Sequence, residues 1–216
     1  MTDPLAATAV FLLPAFSWGG TRFTWLEMVA TVLAVWMVLC NLRVNPLGWP
    51  LAIASSLLYG LLFMHSKLYG EAALQVVFIV VGGWGWWQWL HGHGAHGEPL
   101  SVRQLSPRQR AVALGVTLAG WPLLGALLAR VTDSEVPYLD ALPTVGSLVG
   151  QYLLARKWLD NWAAWVAVNA FSLVLFATKG LWLTVAVYAV FLVMALVGWR
   201  AWAALLPNKP AAGPWS

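Results

Sequence analysis

Charged residues in this chain lie almost entirely at the ends of, and in the gaps between, a series of long apolar stretches. The chain is 61% hydrophobic and only 9% charged, whereas a soluble domain carries about 25% charged residues. About 20 consecutive apolar residues are enough for a helix to cross a lipid bilayer. The sequence therefore predicts an all-α integral membrane protein that has little chain left for a soluble enzymatic domain.

Seven apolar stretches are predicted as transmembrane helices. Some connections between them, such as Val44-Asn45 and Lys179-Gly180, are so short that neighbouring helices must run antiparallel. One longer polar loop, residues 91–108, contains Gly and Pro and precedes the fourth stretch. The predicted spans are 23–43, 45–65, 68–90, 109–131, 138–155, 159–178 and 181–204.

The first three and the last three predicted helices are copies of one another in sequence. In one constant register from Leu26 to Trp89, the identical pairs include Thr31 and Thr144, Arg43 and Arg156, Trp49 and Trp162, Gly85-Trp86 and Gly198-Trp199, and Trp89 and Trp202. Three spans reverse the side on which the chain emerges and the fourth restores it, so the two triplets are parallel repeats. The sequence thus predicts two parallel three-helix repeats joined by a linker helix, a 3+1+3 arrangement like that of SWEET transporters.

The predicted organisation has five parts. They are an N-terminal interfacial segment (1–22), the first three-helix repeat (23–90), a cytoplasmic loop with the linker helix (91–131), the second three-helix repeat (138–204) and a C-terminal tail (205–216). The apolar residues 5–16 are too short to span and lack the basic start of a cleaved signal peptide. We therefore expect them to lie at the membrane surface or to be partly inserted.

Basic residues predict the orientation of the spans. One side carries Arg22, Lys67, Arg130 and Lys179, and the other carries Arg43, Arg103, Arg108, Arg110, Arg156, Lys157, Arg200 and Lys209. Cytoplasmic loops carry an excess of Lys and Arg. The second side, and with it the C-terminus, is therefore predicted to be cytoplasmic.

Polar side chains well inside the spans are the candidate site. Ser56 and Asn169 are repeat counterparts near mid-span, Gln75 and Tyr188 are a second such pair, and Gln151 lies on span five. Span six carries Trp162, Trp165, Asn169 and Ser172 at helical spacing along one face. Polar residues in lipid usually face protein or a water-filled cavity. They predict either a binding site at the repeat interface near mid-membrane or hydrogen bonds that only stabilise the bundle.

Other residue types favour plainer interpretations. Tryptophans at span ends, among them Trp25, Trp87, Trp199 and Trp202, are typical of an aromatic belt at the headgroups. Glu27 and Asp140 are counterparts that either attract a cationic ligand or are simple interfacial carboxylates. His91, His93 and His96 are separated by glycines, which favours a linker over a metal site. With no phosphate loop and no mid-span proton relay, the sequence predicts no catalytic residue, no metal, no cofactor and passive movement of a substrate.

Two long runs resemble the PnuC family of bacterial nicotinamide riboside transporters: YGEAALQVVFIVVGGWGWWQW (69–89) and LPTVGSLVGQYLLARKWLDNWAAWVAVNAFSLVLFATKGLWLTVAVYAVF (142–191). The resemblance covers nearly all of residues 23–204. It implies a seven-helix SWEET-like fold, often trimeric, in the bacterial inner (cytoplasmic) membrane. The implied activity is facilitated diffusion of a vitamin that is trapped by cytoplasmic phosphorylation. The acidic residue common in the family is kept at Asp160, whereas a common Tyr is replaced by Phe176.

The resemblance and the polar pattern together give the expected substrate-binding residues, which are Ser56, Tyr69, Gln75, Trp86, Gln88, Gln151, Trp162, Trp165, Asn169, Lys179, Trp182 and Tyr188. Indole and phenol rings suit a cationic pyridinium, and amides suit the ribose hydroxyls and the carboxamide. Because Arg and Lys are absent from mid-membrane, the unphosphorylated nucleoside is the expected cargo. The expected assembly is a homotrimer in the lipid bilayer with no nucleic-acid partner. The alternatives are a transporter of another vitamin such as thiamine or riboflavin, or of a sugar, and a non-transporting scaffold or enzyme subunit.

Overall fold

The computed structural model describes residues 14–18, 21–65, 69–94, 97–132, 136–178, 180 and 182–206. Seven helices lie in this part of the chain: α1 (Trp25–Leu42), α2 (Gly48–His65), α3 (Tyr69–His91), α4 (Pro107–Val131), α5 (Pro137–Ala155), α6 (Asn161–Thr178) and α7 (Trp182–Ala203). Each begins and ends within a few residues of a predicted span, so the expected helical fold with seven helices is confirmed.

A short antiparallel hairpin precedes α1 and was not predicted. It consists of β1 (Pro14–Trp18) and β2 (Thr21–Thr24), with Pro14 at the first strand position, where the missing N–H is tolerated. Thr24 then starts α1, because its hydroxyl accepts the N–H of Glu27 (3.2 Å) and the Glu27 carboxylate accepts the N–H of Thr24 (3.4 Å). Glu27 therefore caps the N-terminus of α1 as part of a capping box. The apolar residues 5–13 lie outside the described residues.

Six of the helices in the described part of the chain are long and apolar enough to cross a membrane. They are α1, α2, residues 72–91 of α3, α4, α6 and residues 184–203 of α7. The exception is α5, whose sequence contains Asp140, Thr144, Ser147 and Gln151. Composition thus supports six of the seven predicted spans. The polarity of α5 is accompanied by a long buried face at its C-terminal end, which includes Gln151 and Ala155.

The chain forms two compact units, Met1–Trp86 and Trp87–Ser216. In the first unit α1 packs on α2, and α2 approaches α3 where Gly60 faces Gln75 and Gly82 faces Ile53. In the second unit α4 packs on α5, α5 on α6 and α6 on α7. Glycine at such crossings lets helices come close together in a membrane, where packing drives association.

The same tryptophan-on-glycine contact occurs inside each unit. In the first unit a methyl group built on Gly85 of α3 would overlap the buried ring of Trp49 on α2. In the second, a methyl group on Gly198 of α7 would overlap the buried ring of Trp162 on α6. The two pairs are sequence counterparts. Glycine is therefore required at both places because the indole ring occupies the space of a side chain.

The connections α1–α2 and α5–α6 also share one backbone geometry. Each is a Schellman motif, which two backbone hydrogen bonds define. In the α1–α2 turn they are Val44 N–H to Asn41 O (3.1 Å) and Asn45 N–H to Cys40 O (2.9 Å). In the α5–α6 turn they are Lys157 N–H to Leu154 O (2.9 Å) and Trp158 N–H to Leu153 O (3.0 Å). The left-handed residue is Val44 (φ 52°) in one and Lys157 (φ 54°) in the other. Glycine is usual at this position, so a non-glycine residue in the left-handed conformation in both turns is an uncommon feature that the two turns share.

Candidate functional site

Some polar side chains within the helices already have a protein partner. The buried Ser55 hydroxyl donates to the carbonyl oxygen of Ala30 (2.9 Å), which joins α2 to α1. Thr31 donates to the carbonyl oxygen of Glu27 (2.9 Å), and its counterpart Thr144 donates to that of Asp140 (2.9 Å). These hydroxyls serve the helices themselves. The Ser55 bond joins two helices, whereas Thr31 and Thr144 each bond the preceding turn of their own helix.

A second set of polar side chains makes no hydrogen bond with any described residue. It consists of Ser56, Gln75, Gln151, Asn169 and Ser172. Gln151, Asn169 and Ser172 are buried, with Asn169 only 6% exposed, and the other two are half-buried. Withdrawing an amide from water without a partner is costly, more so inside a bilayer. The set is therefore available to bond a ligand, which the first set is not.

Two of the predicted binding residues share the inward face of α6 with Ser172. Trp165, Asn169 and Ser172 follow one another at intervals of about one turn. The Trp165 ring lies against α5, where a methyl group on Gly150 would be 3.3 Å from its Cε2 atom. Gln151 is the next residue on α5. The α5–α6 pair thus places an indole ring and uncommitted amide and hydroxyl groups in one unit.

An aromatic group on α6 and α7 adjoins this face. The half-buried Tyr188 ring lies 5.1 Å from Phe176 and 6.3 Å from Phe191, between ring centroids. Phe176 therefore supplies a ring without a hydroxyl. These rings have the shape and quadrupole that suit a flat or cationic ring.

Two other predicted binding residues are already engaged in packing. Trp162 is buried on Gly198 and meets Trp202 edge-on, with 5.6 Å between ring centroids. Gln88 is buried, and its Oε1 accepts a hydrogen bond from Arg156 (3.2 Å). Trp202 is 0% exposed, so its interpretation as a residue of the headgroup belt is wrong. Trp162 and Gln88 therefore have structural partners that the sequence pattern did not indicate.

The remaining predicted binding residues stand apart from the buried polar set. Trp182 is 64% exposed and Trp86 is 39% exposed, so each lies at the surface of its own unit. Tyr69 begins α3, but its side chain lies outside the described residues, as does Lys179. Binding roles for these four residues stay predictions.

The polar loop is more ordered than its composition indicated. Residues 100–105, which we call the strap, bury Leu100, Val102 and Leu105. Arg103 donates its N–H to Lys157 O (3.2 Å) and accepts the N–H of Leu159 (2.8 Å). Sequence reasoning missed this segment, although apolar residues recurring in a polar loop were the available signal.

Within the described residues no group of three His, Cys, Asp or Glu could hold a metal.

Two side chains fasten the strap. Asp160, in the α5–α6 turn, accepts the N–H of Leu105 at Oδ2 (2.8 Å) and pairs through Oδ1 with Nε of Arg110 (2.7 Å). Lys157 donates to Leu100 O (2.9 Å), and its Nζ lies 5.0 Å from the centre of the Trp89 ring. Burial lowers the pKa of the Lys157 amine. The Lys157 amine is therefore held by a carbonyl and a ring rather than by a carboxylate.

A groove on α1 is a poorer candidate for a substrate site. It has a volume of about 310 Å³ and is lined by Thr31, Val32, Val35, Trp36 and Leu39. That volume reaches the lower end of the range for ligand pockets. Its polar side chain is Thr31, whose hydroxyl is already engaged by Glu27 O and by the Tyr59 hydroxyl. Apart from the Trp36 indole N–H, the lining residues offer a polar nucleoside no further side-chain group for hydrogen bonding.

Comparison with known proteins places the chain in a family. The family model described as nicotinamide mononucleotide transporter matches residues 24–204. The chain is 26% identical over 209 residues to the nicotinamide riboside transporter PnuC of Escherichia coli (strain K12), which covers 85% of this chain and 87% of that protein. It is 30% identical over 182 residues to the riboflavin/roseoflavin transporter RibM of Streptomyces davaonensis, which covers 82% of this chain and 84% of that protein.

A solved structure has the same fold. The crystal structure of the vitamin B3 transporter PnuC matches 84% of this chain and 81% of its own chain, with a TM-score of 0.69 and 25% sequence identity. The matched family region contains all seven helices and every predicted binding residue. The resemblance read from the two sequence runs is therefore confirmed, and the chain belongs to the nicotinamide mononucleotide transporter family of bacterial multi-pass membrane proteins.

Proposed function

We propose that this protein carries nicotinamide riboside across the bacterial inner membrane by facilitated diffusion. The observation that carries the proposal is the inward face of α6, where buried Asn169 and Ser172 have no hydrogen-bond partner among the described residues. A bundle that used these groups only for stability would bond them, as it bonds Ser55. Leaving them unbonded inside a membrane is consistent with a polar substrate as their partner.

The chemistry of nicotinamide riboside fits these groups. Its pyridinium is flat and cationic, and attraction to an aromatic face contributes about 0.5–2 kcal/mol depending on desolvation. Trp165 and the Tyr188 group supply such faces. The amides of Asn169 and Gln151 can donate to and accept from the carboxamide and the ribose hydroxyls. The predicted location of the substrate, at the repeat interface near mid-membrane, stays a prediction.

The distribution of charge favours the nucleoside over its phosphate. Every Lys, Arg, Asp and Glu within α1–α7 lies in the first or last turn of its helix. A phosphate carried through the middle of these helices would find no cation, and burying an unpaired charge is strongly unfavourable. The proposed cargo is therefore unphosphorylated nicotinamide riboside.

A riboflavin-type substrate is the second candidate, because the relative from Streptomyces davaonensis is named for riboflavin and roseoflavin. A flavin would use the same rings and amides, but as a neutral ring system it would gain no cation–π attraction. Binding of both compounds to the purified protein separates the two candidates. The cation-dependent contribution predicts tighter binding of nicotinamide riboside.

The proposed architecture is two parallel three-helix repeats joined by linker helix α4, with α5 as a seventh span, as in SWEET transporters. The shared Schellman motifs and the shared tryptophan-on-glycine contacts support the duplication. We further propose that the protein is a transporter and not an enzyme, and that it assembles as a homotrimer. Measuring the mass of the purified protein in lipid nanodiscs tests the assembly.

Uptake into proteoliposomes tests the proposed mode of transport. Because the helices carry no charged residue outside their end turns, no carboxylate in the middle of a helix is available to carry a proton with the substrate. Internal nicotinamide riboside should rise to the external concentration and stop. Accumulation above that concentration when a proton or sodium gradient is applied would contradict facilitated diffusion, and absence of uptake would contradict the substrate assignment.

A pair of C-terminal fusions tests the orientation. The predicted cytoplasmic side holds twice as many basic residues as the other, and such an excess marks the cytoplasmic side. Green fluorescent protein fused after Ser216 should therefore fluoresce, and alkaline phosphatase fused there should be inactive. An active phosphatase fusion would reverse the assignment.

A further inference from the structure

Asp160 joins three parts of the second unit that are separate in the chain. It immediately precedes α6, it accepts the backbone N–H of Leu105 in the strap, and it pairs with Arg110 in the first turn of α4. Both carboxylate oxygens are thus used at hydrogen-bond distance. Its negative charge also stands at the N-terminus of α6, where the helix dipole stabilises it. One side chain therefore fastens the linker helix to the helix that carries Trp165 and Asn169.

Backbone contacts and burial reinforce this connection. Arg103 exchanges hydrogen bonds with Lys157 and Leu159 on either side of Trp158. The apolar strap residues Leu100 and Leu105 are buried. Lys157 reaches back to the Leu100 carbonyl. The strap thus holds the α5–α6 turn along its length rather than at one point.

The first repeat shows that the turn does not need this fastening to form. The counterparts of Lys157 and Asp160 are Val44 and Leu47, which carry no charge. The α1–α2 turn nevertheless has the same Schellman hydrogen bonds. Its side-chain bond is local, from Leu47 N–H to Asn45 Oδ1 (3.0 Å). The fastening is therefore an addition to the second repeat and not a condition for the turn.

We propose that Asp160 is a positioning residue of the transporter. Through Arg110 and the strap it keeps α4 and the start of α6 as one rigid block, and this fixes the depth and rotation of Trp165, Asn169 and Ser172. The proposal rests on the proposed function, since the positioned groups are those assigned to the substrate. Without the Asp160 bonds, only a fraction of the molecules would have the α6 side chains in the conformation that binds substrate. The apparent affinity would then be lowered in proportion to that fraction.

The test combines substrate-free hydrogen exchange with transport by the full-length protein. Asp160→Ala should accelerate exchange of the Leu105 amide and raise the half-saturating concentration of nicotinamide riboside roughly two- to thirtyfold, the range for residues that act on a site from outside it. The maximal uptake rate should stay within about twofold, since saturating substrate selects the ready state. Asp160→Glu keeps the carboxylate, so both the exchange rate of the Leu105 amide and the half-saturating concentration should lie between those of Asp160→Ala and the unaltered protein. Asn45→Ala, in the matching turn of the first repeat, should change neither transport value.

Each outcome decides the proposal. Fast exchange of the Leu105 amide in the unaltered protein would overturn it, because the strap would then be open. So would unchanged half-saturation in a folded Asp160→Ala variant, or an equal effect of Asn45→Ala. If the unaltered protein takes up no nicotinamide riboside while the Leu105 amide is protected, the proposed function fails and the rigid block stands. In that case the protection of the Leu105 amide still tests whether Asp160 and the strap join α4 to the start of α6.

Discussion

Asn169→Leu is expected to weaken binding of nicotinamide riboside by about 1–3 kcal/mol, the cost of leaving a polar group of the ligand unpaired. Asn169 is buried on α6 and has no partner among the described residues, so the unliganded protein loses no hydrogen bond when the amide is removed. The apo melting temperature should therefore be preserved or raised. Gln75→Leu on α3 should behave in the same way. Isothermal titration calorimetry and thermal melting of the same preparations measure the two effects.

Ser55→Ala is the matched control for these variants. Ser55 is also a buried polar residue inside a span, but its hydroxyl is bonded to Ala30 O. Its removal should lower the apo stability by about 0.5–1.5 kcal/mol and leave the dissociation constant unchanged. Tyr188→Phe should cost less affinity than Tyr188→Ala if the ring face matters. Unchanged affinity in Asn169→Leu and Gln75→Leu, with a lowered apo melting temperature, would identify both amides as structural.

The helices and one face of the candidate site could be predicted because they depend on local pattern. Hydropathy determines where a helix can span, and the spacing of Trp165, Asn169 and Ser172 determines that they share a face. Neither depends on the identity of the neighbouring helix. The three residues are accordingly found together on the inward face of α6.

The environment of each aromatic and charged residue could not be predicted in the same way. Trp162 and Trp165 are equivalent by spacing, yet Trp162 is packed on Gly198 while Trp165 lies beside Gly150. That difference arises from which helix each ring meets, and a single sequence does not contain it. The strap was missed for a related reason, because its bonds join the backbone of a loop to Asp160, far along the chain. The apolar residues Leu100, Val102 and Leu105 indicate that the strap is buried, but they do not indicate which part of the chain it contacts.

Gly85→Ala and Gly198→Ala are each expected to destabilise the protein by about 1–3 kcal/mol, the usual cost of forcing extra volume into a packed core. The added methyl group would overlap the ring of Trp49 or Trp162, and both rings are rigid and buried. Gly83→Ala and Gly115→Ala are the controls, since no neighbouring side chain or other helix lies within 4 Å of a methyl group there. Alanine at these two helical positions should be neutral or should stabilise by up to about 1 kcal/mol through helix propensity alone. Thermal unfolding followed by intrinsic tryptophan fluorescence compares the four variants directly.

A double variant tests whether the indole ring is the cause of the instability. Trp162→Phe removes the part of the ring that the Gly198→Ala methyl group would meet, at the cost of lost packing against Trp202. The two changes together should therefore destabilise by less than the sum of the single changes, with a coupling of about 0.5–3 kcal/mol for residues in direct contact. The same coupling is expected for Gly85→Ala with Trp49→Phe, because there too the methyl group would meet the six-membered part of the indole ring. Additive effects in both pairs would show that the glycines serve the helix backbone and not the tryptophans, and would remove the shared contact as support for a duplicated fold.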